Sequence, residues 1–183
     1  MPQTAGAPDT PNPPPNPAPG QVAAHAAMRQ AAIVLIAAII AADQFSKWLI
    51  LELVMQPARV VEILPFFNVV LVYNRGISFG ILGAGSAVQT WLLIALAIII
   101  VVLLLYWLRG ATNWVTALAI GAVAGGAVGN IIDRLMPTRR AVVDFLDFHA
   151  AGYHWPAFNI ADSAIVLGVA ALLIASLMKT RDS

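Results

Sequence analysis

Four long apolar stretches constrain this chain more than any other feature. They lie near 31–53, 88–108, 114–135 and 159–178. About 20 apolar residues suffice to cross the hydrocarbon of a bilayer as a helix. Of 183 residues, 60% are hydrophobic and only 10% charged, against roughly a quarter charged in an average soluble domain. A soluble core of this size has no room for so much apolar side chain, so lipid must solvate much of the surface. Trp48, Trp91, Trp107, Trp114 and Trp155 fall at or near the ends of these stretches, as interfacial anchors do. The expectation is an all-α membrane protein with four transmembrane helices.

The rest of the chain fits around those spans. Residues 1–20 hold eight of the 12 prolines and almost no bulky apolar side chain, a composition that cannot offset its own ordering entropy. A disordered tail over 1–27 and one membrane domain over 28–183 are therefore expected. Segment 57–86 is apolar but broken by Pro57, Pro65, Asn68 and Asn74-Arg75-Gly76. Its run Val69-Val70-Leu71-Val72-Tyr73 favours strand and Asn-x-Gly a turn. This predicts a small β-rich surface segment between helices 1 and 2 rather than a fifth crossing. A net charge of +1 gives no basic face for nucleic acid, and the absence of cysteine removes disulfides, thiolate metal sites and a cysteine nucleophile. Lys and Arg divide evenly between the two sides, so the positive-inside rule leaves orientation undecided.

With four crossings, the end of helix 1, the end of helix 3 and the start of helix 4 face the same side. The intramembrane polar residues collect there: Asp43, Gln44 and Lys47; Asn130, Asp133 and Arg134; Asn159 and Asp162. Ionisable groups in a span cost roughly 2.5–3.5 kcal/mol each on insertion scales, so they need partners or a function. Asp43 and Lys47, at i and i+4, share a helix face and can pair. Asn130, Asp133 and Arg134 form one polar face with an internal ion pair. Gly121, Gly125 and Gly129 recur at four-residue spacing, which reads as close helix packing.

Asp162 has no cation within a helical turn, and Asp144 sits in the apolar run Ala141-Val142-Val143-Asp144-Phe145-Leu146. Two such carboxyls, close together in low dielectric, would share a proton. One would activate water while the other polarises a carbonyl, which is the chemistry of metal-free peptide hydrolysis. A proton or ion relay and purely structural carboxylates stand beside this reading. His149 and His154 with Asp147 suggest a metal site only weakly, because they lack helical ligand spacing; solvent-facing loop histidines are the commoner case, and no metal or cofactor is expected.

Five blocks in order resemble the lipoprotein signal peptidase family (signal peptidase II). They are Asp43-Gln44 with Lys47, Asn74-x-Gly76-x-x-Phe79, Gly125 through Arg134, Val142-Val143-Asp144-Phe145, and Phe158-Asn159-Ile160-Ala161-Asp162-Ser163. The match covers roughly 30–178. The resemblance implies an aspartic endopeptidase of the bacterial cytoplasmic (inner) membrane. Such an enzyme removes the signal peptide of a diacylglyceryl-modified prolipoprotein, cutting before the lipidated cysteine. It implies Asp144 and Asp162 as the catalytic pair. Asp43, Lys47, Asn74, Gly76, Asn130, Asp133, Arg134 and Asn159 carry over as substrate-binding or supporting residues. Further implications are cytoplasmic termini, a site and β segment on the periplasmic face, and inhibition by the cyclic peptide globomycin; a monomer is expected. The non-enzymatic alternative is a small proton-coupled transporter or channel subunit using the same carboxylates.

Overall fold

The computed structural model describes residues 19–76 and 87–181, and for 179–181 the backbone alone. Helix α1 runs Pro19–Leu49 and continues as a π-helical turn, Ile50–Val54. Helices α2 (Ala87–Leu108), α3 (Trp114–Leu135) and α4 (Ile160–Arg181) complete the bundle. All four are long and apolar enough to cross a membrane. Because α1 already begins at Pro19, the last part of the segment expected as tail is helical. Residues 1–18 lie outside the described residues.

Helix α3 is the hub, in contact with each of the other three. Over its most apolar window 56% of residues are buried, against 11% in α2 and 17% in α1 and α4. The small residues explain this. A Cβ on Gly121 or Gly125 would stand 3.0 Å from the Ala32 carbonyl oxygen or 3.2 Å from Ile36 Cα on α1. On the other side, a Cβ on Gly126 would strike the carbonyl oxygen of Ala161 on α4. Helix α3 starts at a capped end, with the Asn113 side chain accepting from Thr116 N at 2.8 Å. The outward faces of α2 and α4 are Ile, Leu and Val, largely exposed, as lipid-facing surfaces are.

The β structure is larger than the sequence reading expected. Strands β1 (Val61–Leu64) and β2 (Phe67–Asn74) fall in the expected segment. Strands β3 (Val142–Ala150) and β4 (Tyr153–His154) come from the connection between α3 and α4. The four form an antiparallel sheet in the order β1-β2-β3-β4. The run that carries Asp144 is thus a strand rather than a loop. It alternates poorly because both its faces are covered, so period-2 patterning never shows. His149 and His154 are likewise paired across the β3–β4 hairpin. Its turn residues Ala151 and Gly152 have φ of 50° and 80°, the type I′ geometry suited to strand twist. His154 Nδ1 lies 2.9 Å from both Asp147 carboxylate oxygens and stacks on His149 at 4.8 Å. Burial pushes the Asp147 carboxyl up, but hydrogen bonds from His154 and Asn68, with the charge of both imidazoles, hold it below its usual range.

Candidate active site

The site forms where the sheet meets the bundle. Four residues past β4, the chain returns along β3: Phe158 bridges Leu146, its N–H donating to the Leu146 carbonyl at 3.1 Å and its carbonyl accepting from Leu146 N at 2.9 Å. That pairing brings Asn159, the next residue, beside Asp144. Asn159 then starts α4. Its Oδ1 accepts from Asp162 N at 2.9 Å, while Asp162 Oδ2 accepts from Asn159 N at 3.3 Å. This reciprocal arrangement is a capping box with Asp162 at its third helical position.

Asn159, fully buried, couples the two aspartates. Besides capping Asp162, its Nδ2 donates to Asp144 Oδ1 at 2.7 Å. Asn130 of α3 donates from Nδ2 to Asp162 Oδ1 at 2.7 Å and accepts from Asn159 at 3.3 Å. Asp144 is 1% exposed. Burial pushes its carboxyl up to about 6; the side chain of Asn74 opposes this, the neighbouring charge of Asp162 adds to it, and Asn159 and Lys47 pull it back. Asn159 and Asn130 thus link Asp144 and Asp162 into one hydrogen-bonded network. Asn74 stands at the end of β2, opposite Val142 of β3, and its Oδ1 accepts from Gly76 N at 2.9 Å. Gly76 has φ of 100°, and a Cβ there would strike Leu93 of α2. Phe79 of the same block lies outside the described residues.

Behind the aspartates lies a buried ionic triad. Lys47 Nζ is 2.7 Å from Asp43 Oδ2 and 2.8 Å from Asp133 Oδ2, all three side chains at most 2% exposed. The i, i+4 pair expected from sequence is present. The ion pair expected within α3 is not: Asp133 turns to Lys47 of α1, and Arg134 donates instead to the carbonyl of Asn130 at 3.4 Å. Further hydrogen bonds to the two carboxylates hold the frame together. Asp43 Oδ1 accepts from Ala161 N in the first turn of α4 at 3.0 Å, and Asp133 Oδ2 from Val143 N of β3 at 3.0 Å. Gln44, quoted in the sequence but assigned no role, donates to Asp43, Asp133 and the Gly129 carbonyl. Its sequence signals were its place in the polar cluster at the end of helix 1 and in the Asp43-Gln44 block. Gly129 also does more than pack, since a Cβ there would stand 2.7 Å from Asp43 Oδ2.

Arg134 lies within electrostatic reach of Asp162 and Asp144. So Asp162, with no cation within a helical turn of it, meets one across the bundle. A pocket of about 430 Å³ lined by Gln44, Lys47, Tyr73 and Arg139 opens onto the triad. The buried polar side chains of the four helices all lie at this one end. A polar path through the whole bilayer, which a transporter needs, is not seen among the described residues.

Fold and site together define a polytopic membrane protein with a pair of aspartates, Asp144 buried and Asp162 partly buried, at one mouth of a four-helix bundle. A family model described as signal peptidase (SPase) II matches residues 35–178, and the chain belongs to that family. It is 42% identical over 142 residues to a lipoprotein signal peptidase of Alteromonas mediterranea, covering 76% of each chain. It is 44% identical over 146 residues to that of Azoarcus sp., covering 79% of this chain and 81% of the relative. A solved bacterial membrane enzyme obtained by the in meso method superposes with a TM-score of 0.72 at 32% identity, covering 84% of this chain and 92% of the other.

Proposed function

We propose that this chain is an aspartic endopeptidase that removes the signal peptide from diacylglyceryl-modified prolipoproteins, cutting before the lipidated cysteine. The observation that carries the reading is Asn159, which holds Asp144 and Asp162 in one hydrogen-bonded unit. The names of the relatives supply the substrate class.

Each aspartate has an oxygen committed to an asparagine, Asp144 to Asn159 and Asp162 to Asn130. This orients both carboxyls without neutralising either. Asp144, its carboxyl pushed up to about 6, is assigned the protonated role. Its partner carboxylate draws a proton from water as the water oxygen attacks the scissile carbonyl carbon, and Asp144 hydrogen-bonds the carbonyl oxygen. The resulting gem-diol collapses as a proton passes to the leaving nitrogen, and the C–N bond breaks. The signal helix and acyl chains enter from lipid between exposed apolar helix faces, and water enters from the aqueous side. Asn74-Arg75-Gly76 closes over the lipidated cysteine as a turn. The termini are cytoplasmic and the site faces outward in the inner membrane. Globomycin competes for the site, and the enzyme works as a monomer.

Cleavage of a lipidated prolipoprotein in detergent tests this with wild type, Asp144→Asn and Asp162→Asn, each with and without chelator and globomycin. Loss of one acid–base group should lower kcat by about 10²–10⁴-fold in folded protein, with the wild type insensitive to chelator and inhibited by globomycin. Full activity in either variant, or loss on chelation alone, would overturn the dyad.

A further inference from the structure

Beside the catalytic network, and sharing Arg134 with it, arginines gather where the α3–β3 connection meets the start of α2. Arg75, Arg139 and Arg140 line a recess of about 180 Å³ with Ala87, Thr90 and Pro137. An adjoining recess of about 210 Å³ is lined by Arg134, Arg140, Trp91, Ala87, Thr90, Leu135 and Pro137. The two share Ala87, Thr90, Pro137 and Arg140, so they are one arginine-walled hollow with two lobes. Among the described residues, no carboxylate lines either lobe.

Two further features mark the hollow as a site for an anion. Arg134 Nε and Arg139 Nη1 are buried without a hydrogen-bond partner, and buried guanidinium N–H groups are rarely left unpaired. Arg140 takes φ of 48°, a conformation that a β-carbon disfavours, at the point where its side chain joins both lobes. The first turn of α2, which holds no acidic residue, adds the positive end of a helix dipole on the same side.

Depth decides which anion. Trp91 lines one lobe while 59% exposed, and the α2 residues beyond it are lipid-facing. The hollow therefore opens at the level where headgroups lie. Each lobe is smaller than a drug-sized cleft and suits a compact tetrahedral group better than a peptide. We propose that this hollow binds the phosphate of an anionic phospholipid headgroup, by paired guanidinium contacts. The same cluster accounts for the even division of Lys and Arg between the two sides: three of the arginines that cancel the charge bias are gathered around one ligand. Because residues 136–140 join α3, with Asn130 and Asp133, to β3, with Asp144, a bound headgroup would steady the two halves of the carboxylate network.

Native mass spectrometry of the full chain in detergent tests the inference with three probes: phosphatidylglycerol, phosphatidylcholine and inorganic phosphate. One phosphatidylglycerol should stay bound in preference to phosphatidylcholine, and inorganic phosphate should not displace it. Loss of the guanidinium contacts in Arg139→Gln/Arg140→Gln should weaken retention at least about tenfold, while Arg139→Lys/Arg140→Lys should keep most of it. Arg75→Gln, at an exposed position, gives a second reading if the double variant does not fold. Undiminished retention in the glutamine variants, equal retention of the two lipids, or a hollow filled as well by inorganic phosphate would each overturn the proposal.

Discussion

Lys47 and Asp144 are both buried, yet they contribute to stability in opposite senses. Lys47 is the single cation between Asp43 and Asp133. Removing it leaves two carboxylates facing one another without compensation, so Lys47→Met should cost about 3–5 kcal/mol, read as a large fall in the thermal midpoint in detergent. Asp144 is different, because its carboxyl is raised from 3.8 to about 6, mostly by burial. A raised carboxyl binds more protons folded than unfolded between those values, so stability falls as pH rises through that window. The full penalty, on the order of 3 kcal/mol at 1.36 kcal/mol per unit, is present above pH 6. Asp144→Asn escapes it, and should therefore be more stable than wild type at pH 7 and little different near pH 4, while losing cleavage. A stability gap that stayed constant over that range would contradict the assignment. For the same reason the kcat/KM profile, which reports the free enzyme, should decline from about pH 6 upward. The kcat profile should decline later, because bound substrate buries the pair further.

At the scale of elements, the close approach of α3 to α1 and α4 sets the site's dimensions. Gly126 and Gly129 are the two positions where one methyl group separates packing from chemistry. Gly126→Ala would press on the Ala161 backbone and should destabilise by about 1–3 kcal/mol, as overpacking does. Gly129→Ala would instead press on the Asp43 carboxylate that holds Ala161 N. Its expected signature is a drop in kcat larger than its loss of thermal stability accounts for, measured side by side with Gly126→Ala. Equal activity per folded molecule in the two variants would mean that Gly129 only packs. The sheet acts on the same site from the other side. The Phe158–Leu146 bridge fixes where Asn159 stands, so the β3 edge, as much as either helix, positions both aspartates.

For the molecule as a whole, an even number of crossings puts both termini on one side. Reporter fusions at the N- and C-termini should give the same reading, and the proposed orientation makes that reading cytoplasmic. Opposite readings would require a fifth crossing, and within 57–86, the segment weighed for it, β1 and β2 occupy 61–64 and 67–74. A site at one mouth, with Asp144 buried and Asp162 partly buried, also explains how the pair can meet both a lipid-embedded substrate and water.

Sequence alone determined the four spans, because apolar length is a local property that any bilayer reads in the same way. It also determined that the polar groups share one mouth, since that follows from counting crossings, and it placed Asp144 and Asp162 among them. Strand β3 was illegible: its first six residues are covered on both faces and show no alternation, and its partner β2 lies far away in sequence; β4, two exposed residues long, is too short to carry a pattern. The pairing of charges was illegible too. Asp133 had Arg134 beside it in the chain, yet Lys47, 86 positions away, is its partner, because adjacent residues point to different faces of a helix while α1 and α3 press those two together. Only the tertiary structure decided that Asn159 would join the aspartates, since its amide reaches both only once Phe158 has paired with β3.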